Sequence, residues 1–261
     1  MTTNPLITIQ IESMLRQFEK NKNLIQMDQI KKYAVISTPR VGSTMLCKSL
    51  QTYGRLGNPT EWFNPSYTRE LIQLTRQKIN FQNYINLIYL GTINPENHIF
   101  GVNFHVGQYM QMKKQGMDVL SLGFDKIYYL ERANKFAQAY SYAKGAKSKC
   151  WSKESESLLG YTDGMDISIS TVELIDKVHE ILHDIEYYEE HLQQHVTRSF
   201  LYEDFIQDNA YSAVTQICTD FTVEMPCTHI EQPTMQKQAT SKDQMQLQRL
   251  LESLTSISVE G

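Results

Sequence analysis

The chain has no apolar run that approaches the length of a membrane span. Met1 to Ile11 carry Pro5 and polar residues where a secretory leader needs a continuous apolar core. Excess charge is also scarce. A net charge of −4 over 261 residues excludes a general basic surface for nucleic acid, so an anionic ligand has to be held by a local cluster of cations. The four cysteines, Cys47, Cys150, Cys218 and Cys227, form no C-x-x-C pair and no zinc spacing. They read as buried or free thiols in a reducing compartment, which with the missing leader predicts a cytoplasmic protein. No carboxylate or histidine cluster calls for a metal. The chain also lacks G-x-x-x-x-G-K-[ST], and with it the lysine that reaches the terminal phosphates of ATP or GTP. G-x-G-x-x-G is missing too, so a dinucleotide fingerprint does not fit.

What is present is one organising stretch, Tyr33 to Leu50. It opens with Tyr33-Ala34-Val35-Ile36, the short apolar run of a buried parallel strand. It turns through Thr38-Pro39-Arg40-Val41-Gly42 and enters a helix at Ser43, with Met45, Leu46 and Leu50 at helical spacing. Strand, glycine-bearing loop and helix N-terminus form a phosphate cradle, with backbone N–H groups and the positive end of the helix dipole pointing into the loop. Ser43 and Thr44 can donate to phosphate oxygens, and Arg40 adds a planar fork of donors. The competing reading is an ordinary strand–turn–helix in which Gly42 only makes the turn.

Around this unit the chain reads as alternating strands and helices. Ile7–Phe18 is a leading amphipathic helix, and Gln51–Pro65 is loop. Thr68–Ile85 reads as one or two helices, His98–Phe104 as a second strand and Gly107–Lys114 as a short helix. Asp125–Leu130 is a third strand, followed by a helix over Ala133–Ala143 and a long polar loop over 144–167. Val172 to Leu192 has the clearest helical periodicity. A last strand over Arg198–Tyr202, a helix over Glu203–Cys218 and another over Ser241–Leu254 close the chain. The pattern predicts an α/β fold of three layers and P-loop type, with a mainly parallel sheet flanked by helices in a single domain over 1–261, led by a helical segment over 1–30. The sequence leaves the oligomeric state open and is compatible with a homodimer.

Several motifs, in order, resemble the bacterial trehalose 2-sulfotransferase family, which takes a sulfuryl group from 3′-phosphoadenosine 5′-phosphosulfate (PAPS). Ser37 to Thr44 is similar to the family's R-x-G-S-T loop with its preceding serine. Gly57-Asn58-Pro59-Thr60-Glu61-Trp62-Phe63 resembles its G-E-P-x-E-F-F unit, with Asn58 replacing the first acid. Arg132 to Ser141 resembles R-x-D-x-x-x-Q-A-x-S, with Asn134 replacing the acid. Tyr202-Glu203-Asp204-Phe205 is similar to Y-E-D-L, and Gln232 to Thr240 to K-P-x-x-x-R-Q-A-D, with Lys237 standing for the arginine before Gln238. At Gly101–Gln108 the chain departs from the family: Asn103 replaces a lysine, and Val106 lies where a tryptophan is expected nearby. Those family positions lie by the acceptor, which argues against trehalose.

The resemblance implies that PAPS is the donor and that the acceptor is a hydroxyl of a carbohydrate or other small metabolite. It implies that Arg40, Gly42, Ser43 and Thr44 hold the 5′-phosphate, Arg132 and Ser141 the 3′-phosphate, and Lys237 and Gln238 a segment closing over the nucleotide. The alternative for Arg132 is a local pairing with Glu131 or Glu203. Glu61 is the implied base, and the neighbouring Trp62 and Phe63 rings are expected to desolvate it and raise its pKa. His105, just past a strand end, is the rival base. Two competing functions remain at this point, a divergent P-loop kinase and a non-catalytic nucleotide-binding or scaffold domain of the same fold.

Overall fold

The computed structural model describes residues 5–76, 78–151, 167–224 and 241–257. Its centre is a sheet of four parallel strands: β1 (Lys31–Ser37), β2 (Ile99–His105), β3 (Lys126–Glu131) and β4 (Arg198–Leu201), in the order β2-β1-β3-β4. β1 is central and buried on both faces from Tyr33 onward, which is why it reads as a continuous apolar run. The helices before β2 are α1 (Pro5–Asn21), α2 (Ser43–Tyr53), α3 (Pro65–Thr75) and α4 (Phe81–Thr92). After it come α5 (Val106–Lys114), α6 (Lys135–Ser148), α7 (Thr171–His191), the single turn α8 (Tyr202–Phe205), α9 (Tyr211–Asp220) and α10 (Ser241–Ile257).

Alternation along the strands divides the core into two layers. Ala34, Ile36, Phe100, Val102, Phe104, Ile127 and Tyr129 face a cluster built with residues of α1, α3, α4 and α5. Tyr33, Val35, Tyr128 and Leu130 face the other side, against Leu46 and Leu50 of α2 and Val214 and Ile217 of α9. The α/β, three-layer arrangement expected from the sequence is the one observed. A third cluster joins α6 and α7 through Ala139, Tyr140, Ala143, Leu174 and Ile181. Among the described residues no helix is long and apolar enough to cross a membrane.

Three segments differ from the sequence reading. The helix expected to stop at Ala143 runs through Ser148, so the polar loop expected over 144–167 does not begin at Lys144; residues 152–166 lie outside those described. Contacts outside the helix hold the added turn: Lys144 forms an ion pair with Asp243 of α10 at 2.8 Å, and Gly145 leaves room for the Trp151 ring. The helix expected over Glu203–Cys218 is split into α8 and α9, because Asn209 and Ala210 adopt positive φ between them. The helix α4 continues past Ile85 to Thr92, with Ile88, Tyr89 and Leu90 buried against the sheet side of the core.

The connections set the place of the site. From β1 the chain crosses to β2 on one side, then returns over β1 to β3 on the other. The loops after β1 and β3 therefore part at their carboxyl ends, which opens the crevice where ligands of such sheets collect.

Candidate active site

At the end of β1 the chain turns through Thr38–Gly42 with two left-handed residues, Arg40 (φ 67°) and Gly42 (φ 84°). Gly42 is required twice over. Its φ suits glycine, and a Cβ there would lie 2.8 Å from Cδ2 of Tyr202 and 3.0 Å from Cζ of Phe205. Gly42 also occupies the N-cap of α2, and no side chain caps the helix, so the first-turn N–H groups remain available to an anion. Ser43 is buried and Thr44 exposed at this N-terminus.

A chain of contacts links the loop to α6. Arg40 donates from Nε to Oγ of Ser141 (2.9 Å) and from Nη1 to the carbonyl of Trp151 (2.8 Å). Gln138 donates from Nε2 to Oγ1 of Thr38 (2.8 Å) and to the carbonyl of Pro39 (2.7 Å). Arg132 donates from Nη1 to the carbonyl of Arg40 (3.2 Å), while its guanidinium lies 4.6 Å from the centre of the Tyr202 ring. Its nearest acid is Glu203, at 4.0 Å from Nε, and that carboxylate accepts N–H bonds from Ala133 and Asn134. The Nε of Arg132 is buried and has no hydrogen-bond partner among the described residues. Burial lowers the Arg132 pKa, against the opposing influence of Tyr202 and Glu203. Arg132 thus stands at the edge of ion-pair distance from Glu203, as the local-pairing reading expects, and its Nε makes no hydrogen bond among the described residues. Ser141 is bonded to Arg40 rather than to Arg132.

The other half of the crevice is built around Glu61 and His105. Ser37 and His105 are register partners on β1 and β2 and close the two strands side by side. Ser37 Oγ meets His105 Nδ1 at 3.0 Å, and His105 Nε2 lies 3.5 Å from Glu61 Oε1. The other oxygen of Glu61 accepts from Gln108 Nε2 (2.8 Å) and Asn64 Nδ2 (3.2 Å). Burial acts to raise the Glu61 carboxyl, but the His105 charge and hydrogen bonds from His105, Gln108 and Asn64 outweigh it and hold the pKa at about 2. The imidazole moves the opposite way: burial lowers its pKa, and Glu61, Ser37 and Asp184 together carry it above the ordinary value.

The direction at Glu61 corrects the expectation from sequence. Trp62 and Phe63 do not desolvate the carboxyl into a higher pKa. Both rings are buried in the core cluster, while the acid turns back toward His105. The two groups read as rival bases are one pair. Arg40, Gly42, Ser43, Thr44, Arg132, Ser141, Glu61 and His105 all gather at the carboxyl edge of the sheet; Lys237 and Gln238 lie outside the described residues. Sequence reasoning assigns no role to Gln108, Asn64 or Gln138. Gln108 carries a usable signal, since a Gln three residues into a helix reaches back to its N-cap. Among the described residues no group of three His, Cys, Asp or Glu side chains is placed to hold a metal.

Comparison with known proteins adds a family and similar solved structures. The family model described as Stf0 sulphotransferase matches residues 32–252. A crystal structure of a sulfotransferase from Alicyclobacillus acidocaldarius is similar at 13% identity, over 85% of this chain and 92% of that one, with a TM-score of 0.44. No curated protein matches the chain.

Proposed function

The chain belongs to the Stf0 sulphotransferase family, and on that premise we propose that it moves a sulfuryl group from PAPS to a hydroxyl of a carbohydrate or other small metabolite. The observation that carries the choice of donor is the buried Nε of Arg132, which lacks a hydrogen-bond partner among the described residues, beside a loop with open helix N–H groups. A buried charged donor with an open direction fits an anionic ligand, since leaving it unmet costs free energy. In this reading Arg132 and Ser141 take the 3′-phosphate, and Arg40, Gly42, Ser43 and Thr44 the 5′-phosphate. Lys237 and Gln238 are proposed to close over the nucleotide. The buried thiols of Cys47 and Cys218, neither of them in a disulfide among the described residues, support a cytoplasmic setting.

When bound, PAPS supplies the sulfuryl group and a phosphate that leaves with the electron pair of the broken S–O bond. Arg40 and the N–H groups around Ser43 and Thr44 stabilise charge growing on that phosphate, so they act mainly in the transition state. Glu61 Oε1 takes the proton of the acceptor hydroxyl as its oxygen forms the new bond to sulfur. A lone carboxylate with a pKa of about 2 is a weak base. Glu61 and His105 titrate as a coupled unit, and the raised value of that unit governs its proton affinity. The competent form is the pair carrying no proton, with Ser37 Oγ able to serve His105 Nδ1 as donor or acceptor. The rate is therefore expected to rise with pH through a value above the ordinary 6.5 of histidine.

Calorimetric titration with 3′-phosphoadenosine 5′-phosphate, set against ATP with magnesium, tests the donor. Preference for the first supports PAPS; preference for the second replaces this reading with a kinase.

A further inference from the structure

Gln108 sits on the first turn of α5 and touches both halves of the Glu61–His105 unit. Its Oε1 accepts the backbone N–H of His105 at 3.0 Å, and its Nε2 donates to Glu61 Oε2 at 2.8 Å. The orientation follows from chemistry. A backbone N–H can only donate, so the amide oxygen must face His105 and the amide nitrogen must face Glu61. Asn64 is fixed in the same way: its Oδ1 accepts from the N–H of Ser66 (3.0 Å), which turns Nδ2 to the same carboxylate oxygen (3.2 Å).

The two oxygens of Glu61 are thereby made unequal. Among the described residues, Oε2 has two amide donors, and Oε1 has only the longer approach of His105 Nε2 at 3.5 Å. We infer that Gln108 is a positioning residue that occupies Oε2, turns Oε1 toward the acceptor hydroxyl and locks the carboxylate to the strand end bearing His105. It forms no bond with substrate and acts through Glu61. The inference rests on the reading of Glu61 as the proton acceptor and deepens it by naming the atom.

Other titratable groups surround the unit. The Glu61 charge raises the pKa of Cys47 on α2 and of Tyr67 on α3, and the charge of Asp184 on α7 raises that of His105. The hydrogen-bond donors to Oε2 remain Gln108 and Asn64.

Gln108→Met keeps the length of the side chain and removes both hydrogen bonds. Gln108→Glu keeps an acceptor for the His105 N–H and sets a carboxylate against Oε2. The inference predicts that Gln108→Met lowers kcat about tenfold or more with KM for PAPS little changed. Gln108→Glu lowers kcat further and moves the acidic limb of the rate profile to higher pH, because an added negative charge favours the protonated pair. A readout free of turnover uses the imidazole proton resonance of His105, assigned with His105→Asn. Its titration moves to higher pH in Gln108→Glu, and an unmoved titration overturns the inference. Wild-type kcat and an unshifted limb in both variants also overturn it, provided that Glu61→Gln is inactive. If Glu61→Gln itself keeps its rate, the base assignment fails and this inference falls with it, a pattern distinct from failure at Gln108 alone.

Discussion

Ser37 and His105 close two adjacent parallel strands as register partners, and their side chains meet at 3.0 Å through Oγ and Nδ1. Ser37 is fully buried, so the strand that leads into the Thr38–Gly42 loop also holds the imidazole of the Glu61–His105 pair. Ser37→Ala leaves Nδ1 without its side-chain partner in a buried position. The expected outcome is a loss of about 1–3 kcal/mol in denaturant unfolding and a fall in kcat, with donor affinity preserved. Wild-type kcat in this variant would show that the contact is structural only.

The Glu61–His105 pair should mark the stability profile. Glu61 has a depressed folded pKa, so its contribution is full above the ordinary 4.5 and is lost as pH falls through about 2. His105 has a raised folded pKa, so its contribution is full below the ordinary 6.5 and is lost as pH rises through the folded value. Wild type should exceed Glu61→Gln most between roughly pH 4.5 and 6.5, by on the order of 1–3 kcal/mol. Denaturant unfolding at a series of pH values checks this, and a difference that does not vary with pH would contradict the ion pair.

Arg132→Ala should weaken binding of 3′-phosphoadenosine 5′-phosphate far more than that of adenosine 5′-phosphosulfate. Truncating a desolvated charged contact costs on the order of 2–5 kcal/mol. Equal loss for both nucleotides would place Arg132 away from the 3′-phosphate.

Gly42→Ala asks for a side chain at φ 84° and a Cβ 2.8 Å from the Tyr202 ring. Strain of this kind costs about 1–3 kcal/mol, and displacing Tyr202 also moves the ring beneath the Arg132 guanidinium. A lower melting temperature together with weakened nucleotide binding is expected. Loss of stability with unchanged binding would separate the loop from the nucleotide.

Much of the fold and of the site is legible in the amino-acid sequence, and the reasons are local. The strands read correctly because Tyr33–Ile36 and Ile127–Leu130 are buried on both faces and so are continuously apolar. The proposed phosphate loop stands out because Gly42 and the hydroxyls of Ser43 and Thr44 are neighbours along the chain. The features that escape a sequence reading depend on distant partners. The final turn of α6 looks like loop because the mate of Lys144 is Asp243, far along the chain. Glu61 and His105 are each visible, but their pairing needs β2 laid beside β1. The pKa of Glu61 follows from His105, Gln108 and Asn64, while the aromatic neighbours in sequence turn into the core. Gln138 shows the same limit, since its partners Thr38 and Pro39 lie across the crevice.

The central claim is sulfuryl transfer from PAPS, with Glu61 taking the proton. Its most direct measurement incubates PAPS labelled in the sulfuryl group with sugars and other small hydroxyl compounds, using wild type and Glu61→Gln in parallel. The account predicts that wild type moves label onto an acceptor oxygen and that Glu61→Gln does so roughly 10²–10⁴ times more slowly while still binding the donor. Transfer by Glu61→Gln at a rate within a few-fold of wild type would contradict it.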